Sequence, residues 1–161
     1  MQKITPFIWF EKGAREGADF YVSVFGEGSE IKNSSTVTDT PSGTVEVITF
    51  SLRGQEFTIM AAGPFQKLNE SISFVIDCET QEEIDYFWEK LSAVPESEQC
   101  GWLKEKFGVS WQVVPRILIQ LINDVDLSRQ NSGSTNYPKI VALQRLNAFL
   151  SLEQILLALM E

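Results

Sequence analysis

Residues 100–115 read CGWLKEKFGVSWQVVP, and the reading of this stretch decides the fold. Two short, largely apolar segments flank a Phe107-Gly108 pair and end at Pro115, the pattern of a β-hairpin. An echo lies upstream, where Arg53-Gly54-Gln55-Glu56-Phe57-Thr58 aligns with Phe107-Gly108-Val109-Ser110-Trp111-Gln112. The segments before the two turns correspond as well, since Asp19-Phe20-Tyr21 and Asp85-Tyr86-Phe87 sit at matching places in two amphipathic stretches. Any two strand–helix units share periodicity. It is the matching order of elements that indicates an internal duplication.

Working outward, residues 3–10 (KITPFIWF) are apolar on both alternating faces and predict a strand covered on both sides. Residues 12–25 turn to helical spacing through Ala14, Ala18, Tyr21, Val22 and Phe25, with Gly26 as the stop. Three extended segments follow at 30–38, 44–53 and 56–62, joined by Pro41-Ser42-Gly43 and Gly54-Gln55. After a polar loop to about Ser71, the series restarts with a strand at 72–78. Thr80 and Glu83 then form a capping box for a helix running to about Leu91. A Glu/Ser/Pro-rich loop at 93–98 leads into the 99–115 hairpin. The expected organisation is a 1–127 domain, with module one at about 3–62 and module two at about 72–115. A Ser/Asn/Gly-rich linker at 128–138 and a helical tail at 139–161 complete it. Ile140, Leu143, Leu146 and Leu150 make that tail too apolar to stay free in water, so it is expected to cover its own subunit or a neighbour's.

The 161 residues suit one compact domain, and 43% apolar with 22% charged residues are ordinary globular values. Thirteen basic and 22 acidic residues give a net charge of −9, which disfavours nucleic acid as a partner. The chain contains no histidine, which excludes Ser-His-Asp and Cys-His catalysis and paired-histidine zinc sites. Cys78 and Cys100 are too far apart for a Cys-x-x-Cys knuckle, and no disulfide framework exists. Without a signal-peptide pattern or an apolar run of about 18 residues, the expected home is the cytoplasm, with no membrane partner.

The 100–115 string resembles the PhnB-like family, the 3-demethylubiquinone-9 3-methyltransferase type within the vicinal oxygen chelate (glyoxalase and bleomycin-resistance) superfamily. ITPFIWF, the Ala18-Asp19-Phe20-Tyr21 helix, ISFVIDCETQEEIDYFWEKL and Pro115-Arg116-x-Leu118 share in it, over about residues 3–126. The resemblance implies an α+β fold of two βαβββ modules, each curling a mixed sheet around one side of a cavity, and a homodimeric state; the helical spacing of Ile117, Leu118, Leu121 and Ile122 and of the tail adds C-terminal helices. It also implies a test, because enzymatic members hold a divalent metal with one ligand from the first and one from the last strand of each module. Aligning the hairpin glycines puts Thr58 and Gln112 at the last-strand positions, and counting back from the helix aromatics puts Pro6 and Ser71 at the first-strand ones. Only Gln112 is a fair ligand, so no metal and no other cofactor is expected. The methyltransferase label finds no glycine-rich turn between a strand and a helix, since Gly26-Glu27-Gly28 follows a helix instead.

The expected ligand contacts are Gln112 and Thr58 as polar groups, with Trp102, Trp9, Met60 and Phe50 as apolar walls. For Gln112 the plain alternative is a strand amide bonded to a neighbouring side chain, and for the aromatics it is the core. Glu46 and Glu56 are candidate general bases if either faces a dry cavity, and solvent-exposed strand ends otherwise. Cys100 is a candidate thiol nucleophile or a small, partly buried hydrophobe. The function expected is binding of a small, partly apolar molecule between the modules without a metal. The alternatives are a metal-independent lyase or isomerase, and a structural dimer with a filled cavity.

Overall fold

The computed structural model describes residues 4–116, and the chain within them divides into two compact units. The expected helices beyond Pro115, the 128–138 linker and the 139–161 tail lie outside the described residues.

The first unit comprises, among the described residues, 4–71 together with Phe107–Val109. Its elements are β1 (Phe7–Phe10), α1 (Ala14–Phe25), β2 (Glu30–Thr40), β3 (Gly43–Leu52) and β4 (Gln55–Ala61). They form a mixed sheet in the order β1-β4-β3-β2, parallel between β1 and β4 and antiparallel elsewhere. Alternation along the strands sends Ile8, Phe10, Ile48, Phe50, Leu52, Phe57 and Ile59 to one face, where all are buried. Helix α1 covers that face with Ala14, Ala18, Tyr21, Val24 and Phe25. Tyr21 stacks on Phe50 at 5.9 Å between ring centroids, and Phe50 stacks on Phe57 at 5.6 Å. Full burial of one such ring stabilises by about 1.5–3 kcal/mol. The helix stops where Gly26 takes φ 62° and returns its N–H to the Val22 carbonyl at 3.0 Å.

Gly17 is the point of closest approach between α1 and its sheet. A Cβ built there would overlap the Phe10 ring and lie 3.4 Å from Ile59 Cδ1. The Phe107 ring stacks on the Phe10 ring at 5.1 Å and meets Phe20 edge-on at 5.9 Å. An eleven-residue edge strand, β2 is exposed along most of its length and shifts register between Ile31 and Asn33 and between Val37 and Thr40.

The second unit comprises, among the described residues, 72–106 and 110–116. Its elements are β5 (Ser73–Cys78), α2 (Gln81–Leu91), a 3₁₀ turn at Pro95–Ser97, β6 (Trp102–Lys104) and β7 (Ser110–Pro115). The sheet order is β5-β7-β6, with β5 and β7 parallel and β6 and β7 antiparallel. The capping box forms as read: Thr80 Oγ1 accepts from the Glu83 N–H at 3.2 Å, and the Glu83 carboxylate accepts from the Glu79 N–H at 2.7 Å. Helix α2 buries Ile84, Phe87 and Leu91. Tyr21 of α1 and Phe87 of α2, matched in the duplicated motif, are both fully buried.

The duplicated plan is therefore present, with two departures from expectation. Among the described residues the second module has two strands after its helix where the first has three. The polar stretch at 93–101 supplies only the 3₁₀ turn and a Gln99–Trp102 bridge. And β1 is covered on one face only, because Ile8 and Phe10 are buried while Phe7 is 56% exposed.

Candidate functional site

The first sheet's face away from α1 carries the site. Trp9 of β1 and Met60 of β4 are paired across the parallel strands, and both are half-buried. Beside Met60 runs β3, whose Val45 is buried, and Ala62 closes the floor just past the end of β4. These four residues bound a cavity of about 340 Å³. The β2–β3 turn, Thr40-Pro41-Ser42, forms a further wall, and Phe65 stands at the rim, 63% exposed.

Hydrogen bonds fix this wall in place. Ser42 Oγ donates to the Ala62 carbonyl, tying the turn to the end of β4. Thr40 Oγ1 donates to the Gly43 carbonyl at 2.7 Å and accepts from the Ser42 N–H at 3.2 Å. Trp9 Nε1 donates to the Gly63 carbonyl at 3.0 Å, which orients the indole. The surface left facing the cavity is apolar.

Trp9 and Met60, both expected as ligand contacts, thus share one cavity. Thr58 lies on the same sheet face, two residues back along β4, where its hydroxyl meets that of Thr49 at 3.3 Å. Phe50 is a correction. It is fully buried on the opposite face, between Tyr21 and Phe57, because it shares strand parity with Ile48 and Leu52 under α1. Thr40, Pro41, Ser42, Val45, Ala62 and Phe65 were not foreseen. Four of them lie in a turn or loop whose contribution depends on tertiary folding, and only Val45's parity with the Met60 face was available as a signal.

Gln112 and Trp102 belong to the second unit, paired across β7 and β6 on the face away from α2. Gln112 Nε2 donates to Ser73 Oγ at 2.7 Å, the neighbour-bonded arrangement given above as the plain alternative. Ser110, on the same face, is buried, and its hydroxyl has no hydrogen-bond partner among the described residues.

The first-strand positions given by counting, Pro6 and Ser71, precede β1 and β5, and strand pairing sets other residues beside the last-strand ones. Opposite Thr58 stands Phe7 rather than Pro6, whose carbonyl accepts from the Thr58 N–H at 2.9 Å. Opposite Gln112 stands Val75 rather than Ser71, which precedes β5 and bonds Asn69 Oδ1 through its N–H. Phenyl and isopropyl groups are not ligands, and a hydroxyl and an amide are weak ones, so these positions do not fit a divalent transition metal. Among the described residues no three His, Cys, Asp or Glu side chains gather as a metal site.

Glu46 faces α1, not a cavity. It accepts hydrogen bonds from Arg15 and, at 2.6 Å, from Ser34 Oγ. Those bonds, Arg15's first, hold its carboxyl below the usual 4.5, the wrong direction for a general base at neutral pH. Glu56 sits half-buried on the Thr58 face, opposite Ser51. Cys100 lies in a turn at φ 52° before β6, and Cys78 is buried at the end of β5; both are free thiols. No helix among the described residues is long and apolar enough to cross a membrane.

Two mixed sheets, each with one face under its own helix, connected in a duplicated strand–helix–strand order, define a protein of the vicinal oxygen chelate superfamily. A family model described as 3-demethylubiquinone-9 3-methyltransferase matches residues 2–114, and the chain belongs to that PhnB-like family. A PhnB protein from Bacillus cereus is 35% identical, with 71% of this chain and 99% of that one covered at a TM-score of 0.59. Protein PA1353 from Pseudomonas aeruginosa is 15% identical over 70% of this chain and 96% of its own, at a TM-score of 0.54. A fosfomycin resistance protein, FosX, from Listeria monocytogenes, solved with Mn(II) and 1S,2S-dihydroxypropylphosphonic acid, has a TM-score of 0.52. It is 19% identical and covers 76% of this chain and 99% of its own. No curated protein matches the chain.

Proposed function

We propose that this chain binds a small, partly apolar molecule without using a metal ion, and that the Trp9–Met60 cavity receives it. The observation that carries this reading is a cavity of about 340 Å³ with apolar walls fixed by hydrogen bonds. Small-molecule sites run from about 300 to 1,000 Å³ and combine apolar lining with rigid walls. Metal independence is supported by the side chains on offer: the resemblance assigns the ligand positions to Pro6, Thr58, Ser71 and Gln112, and strand pairing sets Phe7 and Val75 beside Thr58 and Gln112. Methyl transfer is not part of the reading, because the glycine-rich strand-to-helix turn of S-adenosylmethionine-binding folds is missing from the sequence. A homodimeric state and a cytoplasmic location belong to the same reading, to be checked by light scattering and cell fractionation.

The test is a thermal-shift screen of metabolites and hydrophobic toxins, run with and without a chelator. A ligand that binds only the native state raises Tm, by about 2.7 kcal/mol of stabilisation at a hundredfold excess over Kd. The expected result is a hit unaffected by the chelator, with less than stoichiometric Zn, Mn, Fe or Ni in purified protein. A tightly held equivalent of metal, or hits that vanish with the chelator, overturns the reading.

A further inference from the structure

Resting on that reading, we infer the chemical class of ligand: an uncharged, ring-bearing apolar molecule, with carboxylates, phosphonates and other anions excluded. Three features of the cavity lead there. The paired Trp9 and Met60 put a flat indole beside a polarisable thioether, a surface suited to an aromatic ring. Every side-chain donor in the lining is already engaged with backbone: Trp9 Nε1 with Gly63, Ser42 Oγ with Ala62, and Thr40 Oγ1 with Gly43. Finally, none of the lining residues among those described is Lys or Arg, and the whole chain carries a net charge of −9.

An anion entering such a space gives up its hydration and meets neither a free side-chain donor nor a cation among the described lining residues. Uncompensated burial of charge is far costlier than burial of a neutral polar group. A neutral ring loses nothing comparable and gains contact with Trp9, Met60 and Val45. The site selects by what its walls withhold.

Equilibrium dialysis with two molecules of the same shape tests this: neutral 2-acetylnaphthalene and anionic 2-naphthoate, each against the full chain at pH 7. The ketone is expected to bind at least about tenfold more tightly than the carboxylate. Filling the cavity by Val45→Trp should abolish ketone binding. Because Val45 is buried, Ala62→Leu at the floor is tested in parallel, with melting curves to confirm that each variant folds. Equal binding of both molecules overturns the neutrality inference while leaving the small-molecule reading standing. Absence of binding by either molecule counts against this ring-bearing class, while a hit of another class in the screen would preserve the broader reading. Unchanged ketone binding in folded, cavity-filled variants removes this cavity from both proposals.

Discussion

On the first sheet Trp9 pairs with Met60 across the parallel strands; at the matching place on the second sheet Asp77 pairs with Val114. Both pairs lie two residues beyond a second matched pair, Phe7 with Thr58 and Val75 with Gln112. The frameworks correspond at these paired positions, and the first carries the Trp9–Met60 cavity. The difference lies in the strand that β2 adds. Its turn into β3 brings Thr40, Pro41 and Ser42 over the end of β4, whereas the second unit has a 3₁₀ turn and a single bridge after its helix. Duplication supplied two similar sheets. The Trp9–Met60 cavity lies under what was attached to one of them.

The largest test of this contrast is Gly17→Ala. Aligning the Asp19 and Asp85 motifs places Gly17 opposite Glu83, so a glycine stands at this place in the first helix and not in the second. In an exposed helix the exchange would stabilise by about 1 kcal/mol. Here the methyl group would run into the buried Phe10 ring, and the expected net effect is a loss of about 1–3 kcal/mol in urea denaturation. An unchanged or higher midpoint would mean that α1 does not approach β1 as described.

Next in size is Gln112→Leu, which leaves the Ser73 hydroxyl without its donor and should cost about 1 kcal/mol. Affinity for a ligand of the Trp9–Met60 cavity should not change. A clear drop in affinity would transfer the binding role to the second sheet and restore Gln112 as a contact residue.

Glu46→Gln should have the smallest effect, since the Arg15–Glu46 pair is substantially exposed and surface pairs contribute little. The sign is nonetheless definite. Glu46 titrates lower when folded, so its contribution is complete above the ordinary value of 4.5 and fades as pH falls through the lowered pKa. Melting curves should show wild type slightly ahead at neutral pH and the two proteins converging under acid. A variant that is more stable at neutral pH would contradict the ion pair.

Much of the fold could be read from the chain because the two periodicities are well separated. Ala14, Ala18 and Tyr21 repeat at helical spacing, while Ile48, Phe50 and Leu52 alternate, and glycines punctuate both. The candidate cavity was half legible. Trp9 and Met60 stood out as large apolar residues on strands. Phe50 has the same character and lies on the other face, because alternation tells which residues share a face and not which face meets a helix. Glu46 sharpened that ambiguity: a carboxylate in line with Ile48 and Phe50 suggests a cavity, until Arg15 of α1 is found beside it. The Thr40–Ser42 wall had no local signature. Its role depends on one hydroxyl reaching the carbonyl of Ala62, twenty residues away in sequence.

Among the described residues, the strand that makes the cavity possible also leaves a long border of backbone amides and carbonyls at the rim of the sheet. Its composition answers the hazard: Lys32 and Asp39 carry charge, Asn33, Ser34, Ser35 and Thr36 are polar, and two breaks in register interrupt the ladder. Neighbouring molecules thus find no smooth template along which to zip into fibrils, so the chain should tolerate high concentration better than so extended a margin would suggest.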